Sequence, residues 1–300
     1  MRTLVLGGTG MLGRAVVVEA RSRHLPVLGL SREQADIRDR DRLLYWVDAF
    51  RPELIVNCAA YTKVDACEGE GRAEAFAING EALDNVVAAA QSLDTGKAWL
   101  VHVSTDYVFD GKAREPYPEN APVGPLSVYG QSKLDGERRV LAYDRSTVVR
   151  TSWLFGPGGP NFVATIVRLI EEGRHLRVVR DQVGAPTYTL FLAKAILDLA
   201  QLGVRGAVHY RNREPVSWYA FASEIAGLWS GTRRVPEVVP VTSDEFPRPA
   251  PRPAFSVLDV SWFEEVAGRR VEPWGWGLVD YMAALRKERA ALSKGGKEVR

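Results

Sequence analysis

The stretch "TLVLGGTGMLG", residues 3–13, runs from an apolar segment through a glycine-punctuated turn into a helix with an apolar face. The apolar segment (residues 3–8) reads as a strand buried on both faces. Gly7, Gly10 and Gly13 then form G-x-x-G-x-x-G at the mouth of a helix spanning 11–23. Residues without Cβ allow a tight turn and close backbone approach. Free amides at a helix N-terminus favour an anionic group such as a pyrophosphate. Gly7, Thr9, Gly10, Met11, Leu12 and Gly13 are therefore the candidate phosphate cradle of a dinucleotide site.

Outward from this unit the pattern repeats. Strands are expected at 25–30, 53–60, 98–105 and 146–156. Helices are expected at 39–50, along "RAEAFAINGEALDNVVAAAQSL" (72–93) and at 126–142. Short apolar strands alternating with helices imply an α/β fold, a Rossmann-type doubly wound parallel sheet. The second half is richer in Pro and Trp, with helices expected at 160–173, 190–202 and 217–229. "PRPAPRP" (247–253) is too proline-dense for a regular element. The expected organisation is a dinucleotide-binding domain over 1–152, with 185–206 returning to it, and a smaller C-terminal lobe mainly within 153–300.

Composition narrows the function class. A net charge of +2, with 46% hydrophobic and 25% charged residues, argues for no nucleic-acid or membrane-surface partner. The basic tail "RKERAALSKGGKEVR" reads as a helix end fraying into solvent. No apolar run approaches the ~20 residues of a bilayer span. With two Cys and four His, no disulfide framework and no metal site is legible, so no metal is expected. Cys58, in "LIVNCAA", reads as a buried small hydrophobe. The N-terminus lacks a secretory pattern, so a cytoplasmic location is expected.

After the second strand, where an acidic residue would hold the ribose hydroxyl of NAD, stand Ser31 and Arg32. Arg binds a phosphate through a charge-assisted fork. NADPH is the expected cofactor, and Glu33 keeps NADH open as the alternative. Asp36 and Ile37 stand where an adenine would be held. Ala59 and Ala60 end the third strand, followed by Tyr61 and Thr62, all expected against the cofactor. Asn79, polar within an apolar helical pattern, must find buried partners.

"VHVSTDYVFDG" puts Thr105 at the C-terminal end of a strand, the edge where open α/β sheets bind ligands. "PLSVYGQSKLDGE" (125–137) places Tyr129 and Lys133 one turn apart on one helix face. A free Tyr has a pKa near ~10, and a neighbouring cation lowers it. Thr105, Tyr129 and Lys133 thus form a proton-transfer set for a carbonyl, with Tyr129 as donor.

With these segments in place, the chain resembles the extended short-chain dehydrogenase/reductases and, within them, the dTDP-4-dehydrorhamnose reductase family. "RTSWLFGPGGPNFV", "DQVGAPTY" and "RPAPRPAFSVLD" carry the finer resemblance, which covers nearly the whole chain. It implies NAD(P)H-dependent reduction of the 4-keto group of dTDP-4-dehydro-β-L-rhamnose, catalysed by Thr105, Tyr129 and Lys133. It also implies that Val64, Asp106 and Trp153 lie near the sugar. Asn161, Gln182 and Arg252 are polar residues of the same segments suited to a nucleotide-sugar pocket. A homodimer is compatible with the resemblance.

Three other readings share the fold. A 4,6-dehydratase would carry Glu after the Thr-Asp pair, where this chain has Tyr107. An epimerase holding NAD fits the Ser31–Arg32 pair less well. A non-catalytic dinucleotide-binding subunit, like the regulatory β-subunit of methionine adenosyltransferase, would not need the proton-transfer set. The sugar specificity is open to other dTDP-4-keto-6-deoxy sugars.

Overall fold

The computed structural model describes residues 1–93, 96–230 and 237–295. In chain order the first half comprises β1 (Thr3–Leu6), α1 (Met11–Ser22), β2 (Val27–Leu30), α2 (Arg40–Phe50), β3 (Leu54–Asn57), α3 (Arg72–Phe76), α4 (Ala82–Gln91), β4 (Trp99–Thr105), α5 (Val128–Leu141) and β5 (Ser146–Thr151). The second half comprises β6 (Leu154–Phe155), α6 (Phe162–Glu171), β7 (Leu176–Val179), β8 (Val183–Gly184), β9 (Thr187–Tyr188), α7 (Thr189–Leu202), β10 (Gly206–His209), β11 (Val216–Ser217), α8 (Trp218–Ser230), β12 (Val238–Val241), α9 (Ser261–Ala267) and α10 (Trp274–Gly295).

Six strands form one sheet in the order β10-β5-β4-β3-β1-β2. Every pairing in it is parallel. Side chains alternate between its faces, as period two requires. Val5 packs with α1 and α7 through Val16, Leu192 and Ile196. Leu4 and Leu6 pack on the other face against Leu43, Val47 and Val86 of α2 and α4. The strand order reverses at β1, between β2 and β3, so the crevice beyond the ends of β1 and β3 is the topological switch point where such sheets bind ligands. The lobe has its own core, with Phe155, Val163, Ile166, Phe221 and Leu278 among its buried side chains.

Three departures from the sequence reading stand out. The long helix expected at 72–93 contains a π-turn at Ala77–Glu81 between α3 and α4. That turn carries Asn79, whose side chain accepts from Tyr61 N (2.8 Å) and donates to Tyr61 O (3.0 Å) and Ser132 Oγ (3.0 Å). The strand expected at 146–156 is broken: Trp153 adopts φ +46°, and β6 pairs with β9 instead of extending β5. The sixth strand, β10, was not foreseen; α7 packs on α1 and delivers it to the sheet edge beside β5. The basic tail is helical to Gly295 as part of α10, and residues 296–300, where the sequence reading expects fraying, lie outside the described residues.

Candidate active site

The glycine loop is shaped by close approach. Gly7 turns the chain at φ +73°, and a Cβ there would lie 2.8 Å from Ala59 N. A Cβ on Gly13 would lie 2.2 Å from Gly7 O, so α1 seats against the loop only without a side chain. Gly7 O accepts from Gly10 N at 3.0 Å, closing the turn. Gly10 caps α1 without a side-chain acceptor, leaving first-turn amides of the helix for an anion.

Beside the loop is a crevice of about 210 Å³ lined by Gly7, Thr9, Gly10, Arg32, Ala35, Asp36, Ile37, Cys58, Ala59, Ala60, Tyr61 and Ile78. Most residues expected to hold the cofactor are in this wall. Leu12 and Gly13 are buried beneath it, and Met11 is partly buried at the helix start, so these three offer main-chain amides. Ser31, Thr62, Tyr129 and Lys133 are also outside the wall. Ser31 turns inward to its own loop, its N–H donating to Gln34 Oε1 at 2.9 Å. Thr62 is exposed, its carbonyl accepting from Val64 N at 3.0 Å. Cys58 and Ile78 complete the wall instead. Burial pushes the Cys58 thiol up to about 12, so it stays protonated.

Arg32 stands on the rim, 59% exposed, paired with Glu74 at 3.2 Å and Asp36 at 3.5 Å. Asp36 is gripped at 2.6 Å by Arg38, which the sequence reading did not single out. That hydrogen-bonded pair draws the Asp36 carboxyl down to about 2.

At the end of β4, Thr105 Oγ1 accepts from Tyr107 N (3.2 Å) and donates to Asp106 Oδ1 (3.0 Å). Ser127 caps α5, its Oγ accepting from Gly130 N at 3.2 Å, which puts Tyr129 in the first helical turn. Val128 N donates to Glu68 Oε1 at 2.8 Å, tying that turn to the loop after β3. Tyr129 packs edge-on against Tyr107, with ring centroids 5.9 Å apart. Burial, then the Asp106 carboxylate, holds the Tyr129 hydroxyl above its ordinary value; hydrogen bonding with Thr105 works the other way. Asp106 is itself buried, and its carboxyl is raised to about 7 by desolvation. Among the described residues its Oδ2 has no hydrogen-bond partner.

Lys133 departs from the sequence expectation in its partners. Its Nζ donates to Val103 O (2.7 Å) and faces His102 Nε2 (3.2 Å). Burial lowers Lys133 to about 8. His102 was missed, although a His within an apolar strand was the available signal.

A second cavity of about 510 Å³ lies in the lobe, with Phe162, Trp218 and Phe246 as aromatic walls and Arg174, Arg177, Arg248 and Arg252 as cations. Gln182 also lines it and donates to Ser243 Oγ at 2.9 Å. Arg252 links this cavity to the strand ends, where it lies by the Tyr107 hydroxyl. Trp153 stands one layer back. It stacks on Trp218 at 3.5 Å, with Gly184 so close that a Cβ would come within 2.5 Å of the indole. Val64 is partly buried and lines neither cavity. Asn161 is a structural residue: its Oδ1 caps α6 through Ala164 N (3.0 Å) and its Nδ2 donates to Tyr281 Oη (2.9 Å). Among the described residues no group of His, Cys, Asp and Glu is arranged to hold a metal ion.

The RmlD substrate binding domain family matches residues 1–287. The chain belongs to this family. As an RmlD-family member it is 39% identical to a dTDP-4-dehydrorhamnose reductase of Streptomyces griseus, over 95% of this chain and 94% of that one. It is 40% identical to a probable dTDP-4,6-dihydroxy-2-methyloxan-3-one 4-ketoreductase of Streptomyces antibioticus, over 96% and 94%. The crystal structure of the dTDP-4-dehydrorhamnose reductase of Bacillus anthracis, in complex with NADP, superposes with a TM-score of 0.87 at 34% identity, covering 94% of this chain and 99% of that one. The RmlD-family fold is thus shared from the glycine loop to the start of α10.

Proposed function

We propose that this protein reduces the 4-keto group of dTDP-4-dehydro-β-L-rhamnose to dTDP-β-L-rhamnose with NADPH. The observation that carries the reading is the Thr105–Tyr129 pair at the C-terminal end of β4, packed on Tyr107, whose hydroxyl lies by Arg252 of the arginine-lined cavity. The missing Cβ atoms of Gly7 and Gly13 and the uncapped start of α1 suit a pyrophosphate, so the residues fit a dinucleotide. Gly7, Thr9, Gly10 and the amides of Met11, Leu12 and Gly13 hold its phosphates; Ala59, Ala60 and Tyr61 wall the crevice; Arg32 takes the 2′-phosphate. The bound nicotinamide supplies the hydride.

The chain's own residues supply the rest. The Thr105 hydroxyl hydrogen-bonds the ketone oxygen. Tyr129, held as a neutral phenol by burial, gives that oxygen its proton. Lys133 positions the cofactor's ribose and the proton inventory behind Tyr129. Asp106 faces the sugar, and Trp153 sets the plane of Trp218. In the second cavity, arginines suit the diphosphate and aromatic walls suit the base. The sugar-binding lobe spans mainly 153–300, with the stretch through α7 and β10 returned to the sheet. We place the enzyme in the cytoplasm, working without a catalytic metal.

A second reading, reduction of another dTDP-4-keto-6-deoxy sugar by the same residues, is favoured by the 40% identity to the Streptomyces antibioticus ketoreductase. The test is a panel of dTDP-linked 4-keto sugars offered with NADPH and with NADH. Fastest loss of reduced-cofactor absorbance with dTDP-4-dehydrorhamnose is expected. A faster ketone selects the second reading, and no loss with any of them removes the reductase assignment.

A further inference from the structure

Behind Tyr129, three buried polar side chains form a chain that spans the sheet. Asn57 ends β3, His102 is its register partner on β4, and Lys133 lies on α5. Their exposures are 0%, 1% and 2%. Ala59 N donates to Asn57 Oδ1 at 3.1 Å. A backbone N–H can only donate, so the amide oxygen is the atom facing it and the amide orientation is determined. Asn57 Nδ2, a donor only, then faces His102 Nδ1 at 3.0 Å. Nδ1 must accept, which puts the single proton of a neutral imidazole on Nε2. Nε2 lies 3.2 Å from Lys133 Nζ. Against an ammonium, this N–H opposes another donor. Against a neutral amine, it meets a lone pair. The remaining bond, from Nζ to Val103 O at 2.7 Å, is open to either form.

We propose that Asn57 and His102 are positioning residues that orient Lys133 and, by selecting the imidazole tautomer, favour its neutral amine, making it a proton carrier near neutral pH and not a permanent cation. The inference deepens the catalytic reading given above. The surroundings agree with it. Burial, reinforced by the Lys133 charge, keeps His102 well below its ordinary value, so the ring is neutral. Desolvation brings Lys133 down to about 8 against the opposing pull of Glu137, one turn along α5. Glu137 is itself paired at 2.8 Å with Arg150 of β5, and Cys58 stays a thiol.

Two variants change the tautomer logic without touching Lys133. In Asn57→Asp the carboxylate cannot donate, so Nδ1 takes the proton and Nε2 becomes an acceptor for an ammonium. In His102→Gln the ring is replaced by an amide able to turn its oxygen to Lys133. His102→Asn does the same where Gln does not fit. The readout is the side-chain NMR resonance of Lys133 in the full-length, lysine-labelled protein, assigned by its loss in Lys133→Arg and titrated without substrate. Upward shifts of the midpoint by about one unit or more are expected in Asn57→Asp and in the His102 variants. Unchanged midpoints overturn the proposal. A shift confined to Asn57→Asp overturns it too, because added negative charge alone would produce that. The titration needs no turnover, so its result is independent of whether the sugar ketone is reduced.

Discussion

Asp65 and Arg252 are 187 residues apart in the chain and 3.0 Å apart in space. The same carboxylate accepts from Ala250 N at 3.3 Å and lies 3.9 Å from Arg248. The loop after β3 thereby fastens the proline-rich segment that walls the larger cavity. Arg248 and Arg252 both line that cavity, so Asp65 holds two cations at its wall.

Asp65→Asn tests this clasp. Removing a partly exposed, charge-assisted contact costs about 1 kcal/mol. About a five-fold rise in KM for the nucleotide sugar is expected, with NADPH affinity unchanged. Steady-state kinetics against each substrate decides it; a KM equal to that of the unmodified protein would show the clasp to be dispensable.

Tyr129→Phe removes the hydroxyl proposed as proton donor and keeps the ring packed on Tyr107. General-acid catalysis is worth about 10²–10⁴-fold, and kcat is expected to fall by that range. Binding of NADPH, followed by fluorescence titration, should stay within about two-fold. Turnover at the original rate would assign the proton to another group.

Asp106 makes a pH-dependent prediction. Burial raises its carboxyl from 3.8 to about 7 in the folded protein. The folded state therefore holds the proton more tightly, and its stability falls as pH rises from about 4 through about 7. Asp106→Asn abolishes this dependence. The variant should gain about 1–3 kcal/mol relative to the unmodified protein on going from pH 5 to pH 8. Urea melts of both proteins at the two pH values measure the difference, and equal differences at both would contradict the assigned ionisation.

Arg32→Ala addresses cofactor choice. A charge-assisted contact to phosphate is worth about 1.5–3 kcal/mol, reduced here because Arg32 is exposed and already paired with Glu74. About a ten-fold loss of NADPH affinity is expected, with NADH changed less than about three-fold. Parallel losses for both cofactors would place the 2′-phosphate elsewhere, with Arg38 the next cation along the chain.

The α/β class, the first five sheet strands and the glycine cradle were legible locally. Each rests on a periodicity, or on a turn that a few neighbouring residues dictate. Tyr129 and Lys133 were legible for the same reason, because helical spacing alone brings them to one face. The break at Trp153 was not, since its left-handed backbone is held by packing against Trp218 and Gly184.

The sequence by itself determined the first five strands of the sheet, most of the helices around them and the glycine turn at the mouth of α1. Tertiary structure alone decided that His102 stands between Asn57 and Lys133, that β10 closes the sheet edge, and that Asp65 holds Arg252. These are contacts between residues 31 to 187 positions apart. Such contacts leave no local pattern, because they form only when sheet register and lobe packing bring distant backbone segments together and each buried polar group must take the partner it meets there.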